Sequence, residues 1–112
     1  MKKLLVALGV EPTEAAAKPF GGLKVLTKIS EARGSGATEL DLSRNLIKDV
    51  TPLAGLTKLE LLWLHDCNQI TDLTPLAGLT KLIRLNLDGN PIPDDQKAML
   101  RKALPNCKIY FD

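Results

Sequence analysis

Thr51-Pro-Leu-Ala-Gly-Leu-Thr-Lys-Leu59 returns letter for letter as Thr74-Pro-Leu-Ala-Gly-Leu-Thr-Lys-Leu82. Around this duplicated stretch, Leu40 and Leu42 are answered by Leu62 and Leu64, then by Leu85 and Leu87, at steps of 22 and 23 residues. A period in the twenties is too long for one hairpin and marks units stacked as a solenoid. In each unit the leucines alternate with other residues, so Leu40/Leu42, Leu62/Leu64 and Leu85/Leu87 predict three short strands with the leucines turned inward.

The parts between the strands also repeat. Asn45, Cys67 and Asn90 close the strands, where an inward polar side chain can bond the backbone of the bend. Cys is the weaker donor, and unit two has one extra residue here, so Asn68 is expected to share that task. The return limbs Thr51 to Leu59 and Thr74 to Leu82 have proline at the start and glycine in the middle, which predicts a tight helical turn. Leu53, Leu56, Leu76 and Leu79 would fill the core from that side.

Beyond the duplication the period persists in disguise. A further 22 residues from Leu82, Leu85 and Leu87 lead to Leu104, Cys107 and Ile109, a degenerate fourth unit. Its return limb is replaced by Pro93 to Ala103, with acids first, bases last and Pro105 beyond, which predicts a helix with Met99, Leu100 and Ala103 on one face. Upstream, Leu23, Val25, Leu26 and Ile29 predict a cap helix ending at Arg33, broken by Gly34-Ser-Gly36. Residues 1–22 leave three readings open: a further cap helix, a disordered arm or a remnant of a longer parent. The organisation expected is thus an N-terminal helical cap or arm at 1–36, repeats at 37–92, and a C-terminal cap helix with the last strand at 93–112.

Ile70-Thr-Asp-Leu-Thr-Pro-Leu-Ala-Gly-Leu-Thr-Lys-Leu82 resembles the bacterial leucine-rich repeat class typified by internalins, whose unit carries I-x-D-x-x-P-L-x-x-L. Ile47, Asp49, Pro52, Leu53 and Leu56 match the same pattern. The resemblance runs from Ala37 to Ile92. It implies an α/β fold: a short right-handed leucine-rich repeat solenoid with a parallel concave sheet, three regular repeats plus a degenerate fourth, and helical caps at both ends. It also implies protein–protein recognition on the concave face. The immunoglobulin-like domain and surface anchor of true internalins have no counterpart in these residues, which argues against an adhesin.

Composition narrows the function further. Fifteen basic and 13 acidic residues leave a net charge of +2 with no run of either sign, which argues against nucleic acid or anionic membrane as a partner. No apolar stretch approaches the roughly 20 residues of a membrane span. The apolar run Leu4 to Leu8 is short for a signal peptide and is followed at once by Gly9, Glu11 and Pro12. One His and two Cys lack ligand spacing, so neither metal nor cofactor is expected. Cys67 and Cys107 fall two units apart, beyond disulfide reach, so both are expected reduced and largely buried, in a cytoplasmic protein.

Outward strand positions form three expected rows: Glu39, Leu61, Arg84, Asn106; Asp41, Trp63, Asn86, Lys108; and Ser43, His65, Asp88, Tyr110. Leu61 and Trp63 stand in mid-face, exposed within a charged rim, which is the composition of a binding hot spot. The candidate contact residues are Trp63, Leu61, His65, Asp41, Glu39, Arg84, Asn86, Asp88, Lys108 and Tyr110, toward a protein partner whose identity the residues do not disclose. Twelve outward residues fall short of the roughly 20–30 per side of a standard interface, so rims and caps must add area. Ser43, His65 and Asp88 also line up like a hydrolase triad, but a shallow sheet offers no oxyanion hole. The alternative from another class is a capped scaffold, natural fragment or engineered, with no partner of its own. The edge strand Cys107 to Phe111 admits either a monomer or a weak homodimer.

Overall fold

The computed structural model describes residues 2–111. Helices α1 (Lys2–Leu8), α2 (Glu14–Ala17) and α3 (Leu23–Ser35) precede strands β1 (Glu39–Asp41), β2 (Leu61–Trp63) and β3 (Arg84–Asn86); α4 (Asp94–Ala103) and β4 (Lys108–Tyr110) follow. The four strands form one parallel sheet in the order β1-β2-β3-β4. Each return limb opens with a 3₁₀ turn, Thr51–Leu53 and Thr74–Leu76, with proline in its first positions. Asp49 and Asp72 accept from the backbone N–H of Thr51 and Thr74 at 2.8 and 2.9 Å, which starts both turns the same way. This is a leucine-rich repeat solenoid of α/β class.

Between the sheet and the return limbs lies one core. Leu42, Leu59, Leu64, Ile70, Leu73, Leu76, Leu79, Leu85 and Leu87 are completely buried. The strands close as expected on Asn45, Cys67 and Asn90. Asn45 Nδ2 donates to the carbonyls of Leu42 and Ser43, and Asn90 Nδ2 to those of Leu64, Leu87 and Asp88. Cys67 Sγ fills the same place at 3.5 Å from the Leu42 carbonyl. Asn68 does not share this work through its side chain, which is exposed. Its backbone instead takes a left-handed φ of 64° and bridges to Ile47, which absorbs the extra residue. One residue before each ladder position, Arg44, Asp66 and Gly89 all turn left-handed. At Gly89 a Cβ would run into the Asp66 carboxylate and backbone, so glycine is required there.

Two boundaries differ from the expectation. Helix α3 does not stop at Arg33 but runs through Gly34 and Ser35 to Gly36, whose left-handed N–H caps the Ala32 carbonyl. Glycine weakens a helix interior by only about 1 kcal/mol, and the buried stripe Val25, Leu26, Ile29, Ala32 outweighs that. The fourth strand is displaced by two residues. Leu40 pairs with Leu62, Leu62 with Leu85, but Leu85 with Ile109, a step of 24 where 22 was extrapolated. The ten-residue α4 needs a longer return than a 3₁₀ turn, closed by Cys107 N–H on the Leu104 carbonyl at 3.2 Å. Phe111, not Ile109, therefore follows Leu87 into the core, and it is buried.

Residues 2–22 pack on the repeats. Leu4, Leu5 and Ala17 are buried in the common core. Thr13 caps α2 by accepting from Ala16 N–H, and Glu14 accepts from Leu23 N–H at 2.9 Å. The Pro19 carbonyl accepts from both Lys48 and Asp49, which ties this cap to unit one.

Candidate functional site

The register assigns the outward rows. Glu39, Leu61, Arg84 and Lys108 stand side by side, as do Asp41, Trp63, Asn86 and Tyr110. Ser43, His65 and Asp88 continue at the strand exits, where the Arg44 N–H donates to the His65 carbonyl and the Asp66 N–H to that of Asp88. This corrects the expected rows in β4. Lys108 belongs beside Arg84, Tyr110 belongs beside Asn86, and Asn106 lies in the turn before the strand.

The face is polarised along the stack. Glu39 and Asp41, both exposed, stand on β1; Leu61 and Trp63 on β2; Arg84 and Asn86 on β3; Lys108 and Tyr110, both exposed, on β4. Trp63 and Leu61 are half-buried rather than exposed. Strand β2 has a neighbour on each side, so a large ring in its outward row is flanked by other side chains. Tyr110, on an outer strand flanked only by β3, is 45% exposed and is the most open large ring of the face.

The polar groups are mostly committed to structure. Asp41 accepts from both the backbone N–H and the hydroxyl of Ser43, which holds its carboxyl below the usual carboxylate range. Asn86 closes its own strand by accepting from Asp88 N–H at 3.0 Å. His65 Nδ1 is buried and has no hydrogen-bond partner. In the line Ser43, His65, Asp88 the serine hydroxyl is turned to Asp41 and not to His65.

A feature beyond the expected rows borders this face. Lys97 and Arg101, one turn apart on α4, lie over the Phe111 ring at 5.7 and 4.8 Å from its centre. With Asp88, Ile109 and Tyr110 they line a cleft of about 450 Å³. The i, i+4 spacing places Lys97 and Arg101 on one face of α4, and the register of β4 brings Phe111 beneath it. Leu46 and Ile83 are further exposed apolar residues that the rows did not include.

Both cysteines are free thiols, Cys67 buried and Cys107 half-buried. Burial pushes the Cys67 thiol from 9.0 up to about 11 and raises that of Cys107 as well. A raised folded pKa means that the native state holds the proton more tightly than the unfolded chain. The contribution of Cys67 is therefore complete below pH 9 and is lost as pH rises toward 11. The melting temperature is expected to fall more steeply across that window in the parent than in Cys67→Ala; parallel curves would show that the thiol does not titrate between the states.

Among the described residues no group of three or more His, Cys, Asp or Glu could hold a metal ion, and no helix is long and apolar enough to cross a membrane. Residues 38–78 match the family model for leucine-rich repeats in two copies. Among solved structures, a leucine-rich repeat protein of Leptospira interrogans is 37% identical over 64% of this chain, with a TM-score of 0.58. Internalin C2 of Listeria monocytogenes is 39% identical over 70% of it, also at 0.58. The chain spans 19% and 33% of the lengths of those two proteins. No curated protein matches the sequence.

Proposed function

We propose, because this chain is a leucine-rich repeat protein with internalin-like repeats, that its outward sheet face recognises a protein partner. The observation that carries this reading is the composition of the two full rows. An apolar centre of Leu61 and Trp63 is flanked by acids on one side and by Arg84, Lys108 and Tyr110 on the other. Aromatic and apolar anchors within a polar rim supply most of the energy of an interface. The partner fits best if it is polarised the opposite way, basic over β1 and acidic over β4. The cleft beside Tyr110 adds area that the eleven outward residues lack. This reading assigns the face no catalytic step.

The decisive experiment compares the immobilised parent chain with Trp63→Ala in capture of a partner. Loss of a central anchor is expected to weaken binding by about thirtyfold, the effect of about 2 kcal/mol. Circular dichroism should show both chains folded. Equal capture by both would place the contact away from Trp63, and a parent that captures nothing would favour the scaffold with no partner of its own.

A further inference from the structure

The two outer strands of the sheet carry complementary halves of one contact. Strand β1 has a neighbour only in β2, and β4 only in β3. At interior positions Leu62 and Leu85 are 1% and 0% exposed, whereas their equivalents at the ends, Leu40 and Ile109, stay half-buried. Each end therefore presents an apolar position that one more strand would cover.

The backbone is equally unfinished. The Thr38 carbonyl and the Leu42 N–H are both engaged with unit two, so alternation turns the N–H and C=O of Glu39 and Asp41 to the free side of β1. In β4, Lys108 donates to the Ile83 carbonyl and the Tyr110 carbonyl accepts from Leu87, so Ile109 faces the free side. In a parallel ladder a residue donates to the one before its partner and accepts from the one after it. Ile109 placed opposite Leu40 of another copy would donate to Glu39 and accept from Asp41, which are the groups left open.

The same register settles the outward side chains. The pairs inside the sheet align Glu39, Leu61, Arg84 and Lys108 in one row, and Asp41, Trp63, Asn86 and Tyr110 in the next. Continuing the rows across two copies sets Lys108 beside Glu39 and the Tyr110 hydroxyl beside the Asp41 carboxylate. All four side chains are exposed. Opposite charges directly across a ladder stabilise it, and like charges oppose it.

We propose that this chain binds a second copy of itself head to tail, β4 of one copy adding in parallel to β1 of the next. The contact is heterologous, so the second copy keeps a free β4 and the assembly is open-ended. It uses the sheet edges and does not depend on the outward face having another partner. Three-residue strands make it a weak contact, populated at high protein concentration.

Sedimentation of the full chain from about 10 μM to about 1 mM, at about 50 mM salt, tests this. The average mass of the parent should rise through and beyond that of a dimer. Glu39→Lys alone and Lys108→Glu alone each set like charges at the contact, and each should shift the transition to at least about fivefold higher concentration. An equimolar mixture of the two variants places opposite charges at every junction and should assemble like the parent. Far-ultraviolet circular dichroism verifies that both exposed-site variants are folded. A parent that stays monomeric throughout overturns the proposal. So does assembly that Glu39→Lys leaves intact, which is the result of β4 pairing with β4 or of a peptide-like contact elsewhere.

Discussion

Leu62→Ala is expected to destabilise the fold by about 3–5 kcal/mol in chemical denaturation. Leu62 lies in the central strand pair, flanked in its row by Leu40 and Leu85, and is 1% exposed. Cutting it to a methyl removes apolar burial and leaves a cavity that stacked neighbours on both sides cannot collapse into. Leu40→Ala deletes the same atoms at the equivalent place in β1, where the side chain is half-buried. It should cost about half as much or less, since part of the side chain is solvated already. A domain of this size holds about 5–15 kcal/mol in total, so the first substitution shifts the denaturation midpoint far more than the second. Equal losses at both sites would show that the outer strand is as well covered as the inner ones.

The second large effect is expected at Asn90. Its amide donates to the Leu64 carbonyl at 2.8 Å and to those of Leu87 and Asp88 at 3.1 and 3.5 Å, joining units two and three. Asn90→Ala strands these acceptors inside the bend and should cost about 2–4 kcal/mol. Asn45 serves only carbonyls of its own unit, Leu42 and Ser43, so Asn45→Ala should cost about 1–2 kcal/mol. Asn90→Cys imitates unit two, where Cys67 Sγ reaches the Leu42 carbonyl at 3.5 Å, and should fall between the parent and Asn90→Ala. Equal denaturation midpoints for Asn90→Ala and Asn45→Ala would remove any special role for the inter-unit bond.

The interior of the stack was legible because leucine at a fixed step has one physical meaning. Burial on both sides of a strand demands the same residue in every unit, and the identical segments Thr51–Leu59 and Thr74–Leu82 fold into identical 3₁₀ turns. The ends were not, because there the repeat stops constraining the chain. An extrapolated step of 22 misplaced Lys108 and Tyr110, since no periodicity reports how far a ten-residue helix displaces the strand after it. In the N-terminal cap, Leu4 and Leu5 reach the core from a seven-residue helix too short to show a period. The composition of the outward face was readable, but its depth was not. The row already set Asp41 and Asn86 beside Trp63, but the order of a row does not report how far its neighbours cover a ring.

The half-covered positions at Leu40 and Ile109 also grade the molecule in time. Units that touch only their neighbours open from the ends inward, because an outer unit breaks one set of contacts and an inner unit breaks two. Backbone amides of β2 and β3 are then the last to exchange with solvent, and those of β1 and β4 exchange through partial openings that leave the centre intact. The slowest clock of the protein is its middle, where the duplicated Thr-Pro-Leu turns flank Leu62 and Leu64.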